Sequence, residues 1–161
     1  MKDKGFALME LVVVVAIMGI LLSIAALNFS DWQKRYQIEA QVKEMMIDLT
    51  DARLMAIQSK KEHRVVLNPN LMVFRRYSSE FDVVGTQVLS KTLHYQIERI
   101  SGGAWSNVNN EIITINDRGY TTSLMTIGIG RNISDPACNC LGIHYARVNM
   151  GKINGTTCEY R

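Results

Sequence analysis

The sequence predicts an α+β protein in which one long N-terminal helix packs on an antiparallel β-sheet. Three observations predict it. Residues 6–27 are apolar apart from Glu10 and Ser23. Residues 28–59 contain neither Pro nor Gly and repeat apolar side chains every three or four positions. Beyond Lys61, short apolar runs alternate with turn residues, the pattern of strands. A chain of 161 residues with 47% hydrophobic and 20% charged residues suits one modest domain, and this composition excludes full disorder. With 2 Pro, 11 Gly and 3 Cys it is neither collagen-like nor disulfide-dense. A net charge of +3 is too small to argue for nucleic acid or an acidic partner.

The apolar run is the first element. Only Lys2, Asp3, Lys4 and Glu10 are charged within residues 1–27. About 20 apolar residues cross a bilayer core, so this stretch is long enough for one pass. A buried core helix is the competing reading, but core helices are seldom apolar on every face. Lys2 and Lys4 favour a cytoplasmic N-terminus, and Lys34 with Arg35 beyond the run reduce that asymmetry without reversing it. A secretory signal peptide is the other rival, with Ile24-Ala25-Ala26 as a small-residue cleavage site. Its apolar core spans only about 7–15 residues and does not begin with a carboxylate. Glu10 is costly at the edge of lipid and points to a functional residue awaiting a positive partner.

The helix continues to about Ser59. Val42, Met45, Met46, Leu49, Ala52 and Ala56 form its apolar stripe, and Met there reads as core filling rather than a ligand surface. Glu39 and Lys43 stand four apart, acid first, as a modest helix-stabilising pair. The strand pattern begins with 63–67 and 71–76 around the turn Asn68-Pro69-Asn70. Further strands are predicted at 88–89 with 93–100, and at 112–115, 123–129 and 142–149. Ser101-Gly102-Gly103-Ala104 and Asp117-Arg118-Gly119 read as turns.

Lys4-Gly5-Phe6-Ala7-Leu8-Met9-Glu10-Leu11 resembles the processing signal of type IV prepilins and type II secretion pseudopilins, with Ala7 and Met9 departing from its usual residues. The resemblance implies a type IV pilin-like fold and cleavage by a prepilin peptidase between Gly5 and Phe6. It also implies methylation of the new Phe6 amine and a role for Glu10 in subunit assembly, pairing with a neighbour's amine. Such a pair offsets a desolvation cost that neither charge bears well alone. The chain then divides into a leader (1–5), a transmembrane half-helix (6–28), an amphipathic half-helix (29–60) and an extracytoplasmic β-sheet domain (61–161). Residues 112–119, the stretch Ala52-Arg53-Leu54-Met55-Ala56 and residues 147–153 resemble the GspH/FimT minor pseudopilin family. The implied protein is a minor pilin or pseudopilin held in the inner membrane as a single pass, its C-terminal domain periplasmic or extracellular. Its implied partners are the peptidase, other pilin subunits and an inner-membrane assembly platform driven by a cytoplasmic ATPase.

Enzymatic chemistry finds no support. His63, His94 and His144 are scattered, and none sits in a recognisable nucleophile motif. Gly128-Ile129-Gly130 lacks the rest of a dinucleotide loop, and the glycosylation tripeptides at Asn28, Asn132 and Asn154 are weak three-letter matches. No cofactor or metal is expected. Cys138, Cys140 and Cys158 fall in the extracytoplasmic part, where Cys140–Cys158 or Cys138–Cys158 would pin the tail by about 3 kcal/mol. A zinc site using these cysteines and His144 is the alternative, against which Cys-x-Cys is an unusual ligand spacing. A second functional reading, a DNA-binding minor pilin of a competence pilus, rests on the family's Gly-Arg-x-Arg tail. Here the matching stretch is Gly151-Lys152-Ile153-Asn154, which leaves Arg147 and Lys152 as weak DNA-contact candidates.

Overall fold

A computed structural model describes residues 4–79, 82–133 and 135–160, with side chains outside the described set at 4–7 and 24–28. The first element is one uninterrupted helix, α1 (Lys4–Ser59), about 80 Å long at roughly 1.5 Å per residue. Lys60 ends it in the left-handed conformation at φ 53°, and the Lys61 amide donates back to the Ala56 carbonyl at 3.3 Å. The chain then turns directly into strands.

Among the described residues, ten strands form two antiparallel sheets. The first joins β1 (His63–Asn68), β2 (Leu71–Arg76), β3 (Thr86–Thr92) and β6 (Glu111–Ile115) in the order β3-β2-β1-β6. The second joins β4 (Ile97–Ser101), β5 (Ala104–Asn107), β7 (Met125–Ile129), β8 (Cys140–Ile143), β9 (Val148–Asn154) and β10 (Thr157–Tyr160) in the order β10-β9-β8-β7-β4-β5. The strand positions buried in alternation, such as Val65 and Leu67 on β1, face the helix stripe.

That stripe is the predicted one with an extension. Val42, Met45, Leu49, Ala52 and Ala56 are buried, Met46 packs half-buried beside them, and Ile38 and Gln41 add a further turn. Ile113, Ile115, Ile127, Ile129 and Leu141 close the core from the sheets. Each such fully buried side chain contributes about 1.5–3 kcal/mol.

Three local readings are corrected. Residues 93–100 do not form one strand. The Leu93 amide donates to the Asn70 carbonyl and that of Ile97 to the Pro69 carbonyl, so the chain wraps the β1–β2 turn before β4 begins. Residues 142–149 divide into β8 and β9 around a tight turn closed by the His144 amide on the Arg147 carbonyl at 2.9 Å. Glu39 does not pair with Lys43 among the described residues. Its Oε1 accepts a hydrogen bond from the Ala137 amide at 2.7 Å, a backbone donor nearer to hand.

Candidate functional site

The N-terminal half of α1 presents an apolar surface. Its described side chains, residues 8–23, are all exposed, and Leu8, Met9, Leu11 and Leu22 are each 65–70% accessible. Glu10 is exposed among them. Among the described residues no helix is long and apolar enough to cross a membrane. The apolar sequence runs past the described side chains in both directions, to residue 6 and to residue 27. Gly5 and Phe6 lie in the first turn of α1, and their side chains, like residues 1–3 altogether, lie outside the described residues.

Past this half, Phe29, Trp32 and Tyr36 form a ladder of rings on one face. Phe29 and Trp32 centroids are 5.8 Å apart and Trp32 and Tyr36 5.9 Å, the second pair stacked. All three remain about 60% exposed. Their three- and four-residue spacing was visible in the sequence, yet the strong apolar run before it masked the signal.

Polar ties then fasten the helix to β3 and to the loops around the sheets. Glu39 holds Ala137, as above. Gln41 meets Tyr95 through both ends of its amide at 2.8 Å. Lys91 Nζ on β3 lies 2.6 Å from Glu44 Oε1 and 2.8 Å from Asp48 Oδ2. Burial pulls the Lys91 ammonium down, but hydrogen bonds and charge from the two carboxylates outweigh it and hold its pKa above the ordinary range. Arg53 donates through Nε to the Gly119 carbonyl at 2.9 Å and through Nη2 to the Ala146 carbonyl. One guanidinium thereby ties the β6–β7 loop to the β8–β9 turn, a use of its planar fork that Lys does not reproduce. Burial lowers the Arg53 pKa, with Tyr120 opposing, and it stays protonated.

The same tie explains the family-like blocks. Ala52 and Ala56 are small because the helix lies against the sheets there. Gly119 has φ +80°, and a Cβ on it would sit 2.7 Å from Ile57 Cδ1, so glycine suits both the backbone and the helix beside it. Asn116 Oδ1 accepts from the amides of Arg118 and Tyr120 and shapes the loop that presents the Gly119 carbonyl.

At the C-terminus, Cys140 on β8 and Cys158 on β10 form a disulfide with Cα atoms 6.1 Å apart. Both sulfurs being bonded to each other, they are not metal-binding thiolates in this arrangement. Cys138 stands half-buried just before β8, and the His144 ring meets Tyr160 edge-on at 5.2 Å. Gly151 lies where β10 crosses so closely that a Cβ would strike the Glu159 backbone. Lys152 is ion-paired with Asp135, which holds that carboxyl below its usual range, first by hydrogen bond and then by charge. Arg147 is exposed in the β8–β9 turn. The two DNA-contact candidates thus stand in different settings, one charge-paired and one at a turn.

An exposed apolar half-helix continued into a helix laid on antiparallel sheets defines a pilin-like fold. Residues 1–26 match the family described as the prokaryotic N-terminal methylation motif. The fold is similar to the minor pseudopilin EpsH from the type 2 secretion system of Vibrio cholerae. The TM-score is 0.56 at 14% identity, covering 76% of this chain and 99% of that one. It is likewise similar to the type IV minor pilin FimU of Pseudomonas aeruginosa strain PAO1, with a TM-score of 0.56 at 11% identity, covering 80% of this chain and 96% of that one. No curated protein matches the chain in sequence. The chain thus combines an N-terminal methylation motif with a type IV pilin-like fold.

Proposed function

We propose that the chain is a minor pilin or pseudopilin, a non-enzymatic subunit that assembles with other pilins into a type IV pilus or a type II secretion pseudopilus. A prepilin peptidase cuts it between Gly5 and Phe6 and methylates the Phe6 amine. The mature subunit waits in the inner membrane as a single pass, with residues 61–161 outside the cytoplasm, until the assembly platform draws it into the filament. Glu10 then meets the Phe6 amine of a neighbour, and the low dielectric strengthens that attraction.

The observation that carries this reading is the exposed apolar half of α1, a patch far larger than a soluble monomer leaves in water. Lipid before assembly and neighbouring helices afterwards would cover it. Mass spectrometry of the mature protein tests the processing step and should find a chain beginning at methylated Phe6. A start near Leu27, or intact Met1 in cells with active peptidase, overturns it. For the assembly step, Glu10→Val should be cut and inserted normally yet be depleted from sheared filaments. Equal incorporation would remove Glu10 from the mechanism.

A further inference from the structure

We infer that Phe29 and Trp32, with Tyr36 stacked on their water side, form an aromatic collar that seats in the outer headgroup layer of the bilayer and sets the depth at which the subunit waits. The inference rests on the membrane-anchored reading above and adds a lipid-contact site to it. Position comes first. At about 1.5 Å per residue, Phe29 and Trp32 stand roughly 3 and 7 Å beyond Leu27, where the apolar sequence ends, and Tyr36 roughly 13 Å beyond it. The interfacial layer is about 5–7 Å thick on each side of the hydrocarbon core. Phe29 falls within it, Trp32 at its outer edge and Tyr36 on its water side.

Chemistry agrees with position. The rings grade outward from wholly apolar Phe29 to Trp32, with one N–H, and Tyr36, with a hydroxyl, amphipathic bodies that suit an apolar-to-wet boundary. The residues between them are Ser30, Asp31, Gln33, Lys34 and Arg35, all polar. A helix face destined for the dry interior of a bundle would not carry so many charges, whereas an interfacial segment does. Asp31 and Lys34 pair across one turn at 3.5 Å, both well exposed, so this charge remains at the surface. The buried stripe through Ile38, Val42 and Met45 faces the sheets, whereas Trp32 and Tyr36 border a cleft with Asp135, Ala137 and Lys152 and still keep about 60% of their surface open to lipid. These points favour lipid over a second copy of the chain as the occupant.

The test uses the full mature chain in vesicles of phosphatidylethanolamine and phosphatidylglycerol carrying a spin label either at the headgroup or at the acyl-chain end. The protein has 2 Trp, so the difference between wild type and Trp32→Phe reports Trp32 while leaving Trp105 in place. Flotation of the vesicles reports anchoring separately. Co-flotation with a blue-shifted Trp32 signal, quenched more strongly by the headgroup label than by the deep one, is the expected result. Co-flotation with equal or stronger quenching by the deep label, or with none, overturns the collar and leaves anchoring intact. A Trp32 signal shielded from both labels, with cross-links between copies at Tyr36, assigns the face to a second copy and likewise overturns it. Failure to float overturns the anchored reading itself.

Discussion

Gln41 binds Tyr95 as a neighbouring strand would: its Nε2 donates to the Tyr95 carbonyl and its Oε1 accepts from the Tyr95 amide, both at 2.8 Å. A single buried side chain thus satisfies the backbone of a segment that belongs to neither sheet, and it fixes where the chain leaves the helix to begin β4. Gln41→Leu keeps the volume and removes both bonds. It should destabilise the protein by about 1–3 kcal/mol, the cost of leaving a buried donor and acceptor unmet. Urea unfolding in detergent, with an unchanged m-value, checks this.

Gly130 has φ +65°, and a Cβ there would overlap Cδ1 of Ile38, which is fully buried in the core. Gly130→Ala should therefore cost about 2–4 kcal/mol, combining roughly 1–2 for the left-handed backbone with overpacking of the helix contact. Ile38→Val removes the opposing carbon and alone should cost about 0.5–1.5 kcal/mol. The double variant should be more stable than the two losses added, by on the order of 1 kcal/mol, and additive behaviour would show that Ile38 moves aside freely.

How much of this was legible beforehand depends on the range of the signal. The helix and its stripe were, because a 3.6-residue period written over thirty residues survives local noise. The N-terminal methylation motif was legible because it lies within one short stretch of residues 1–26. β5 and β10 were not: Ala104-Trp105-Ser106-Asn107 and Thr157-Cys158-Glu159-Tyr160 have little apolar alternation and hold as strands by pairing with β4 and β9. The break at residues 144–147 contains neither Gly nor Pro. It is set in part by Arg53, whose partners lie 66 and 93 residues away, and no local pattern announces such a bond.

The Cys140–Cys158 disulfide closes a separation of 18 residues around the last hairpin. Cys158→Ser should lower stability by about 3 kcal/mol and first release β10, an edge strand with exposed side chains. Non-reducing peptide mapping should recover Cys158 linked to Cys140. Recovery of Cys138–Cys158 would reassign the staple.

Asp82 organises the loop before β3. Its carboxylate accepts hydrogen bonds from the Gly85 amide at 2.9 Å and from the Ser78 amide and hydroxyl at 3.1 and 3.0 Å. The Gly85 bond, then those of Ser78, hold its pKa below the ordinary carboxylate value. A depressed pKa stabilises the folded loop fully above the unfolded value, and that stabilisation fades as pH falls through the lower, folded value. Asp82→Asn should be less stable than wild type at neutral pH, and the difference should vanish on strong acidification. A difference that persists there would assign it to geometry rather than ionisation.

Glu39, Gln41, the Glu44–Asp48 pair and Arg53 grip the domain along about 20 Å of one helix. On the function proposed above, the subunit is hauled out of a bilayer by its helix, and the pull runs along the helix axis. The ties are then loaded side by side in shear and must yield together, whereas a helix peeled from one end would lose them one at a time. The fastening suits a handle: the load is shared across the whole grip, and the domain travels with the rod.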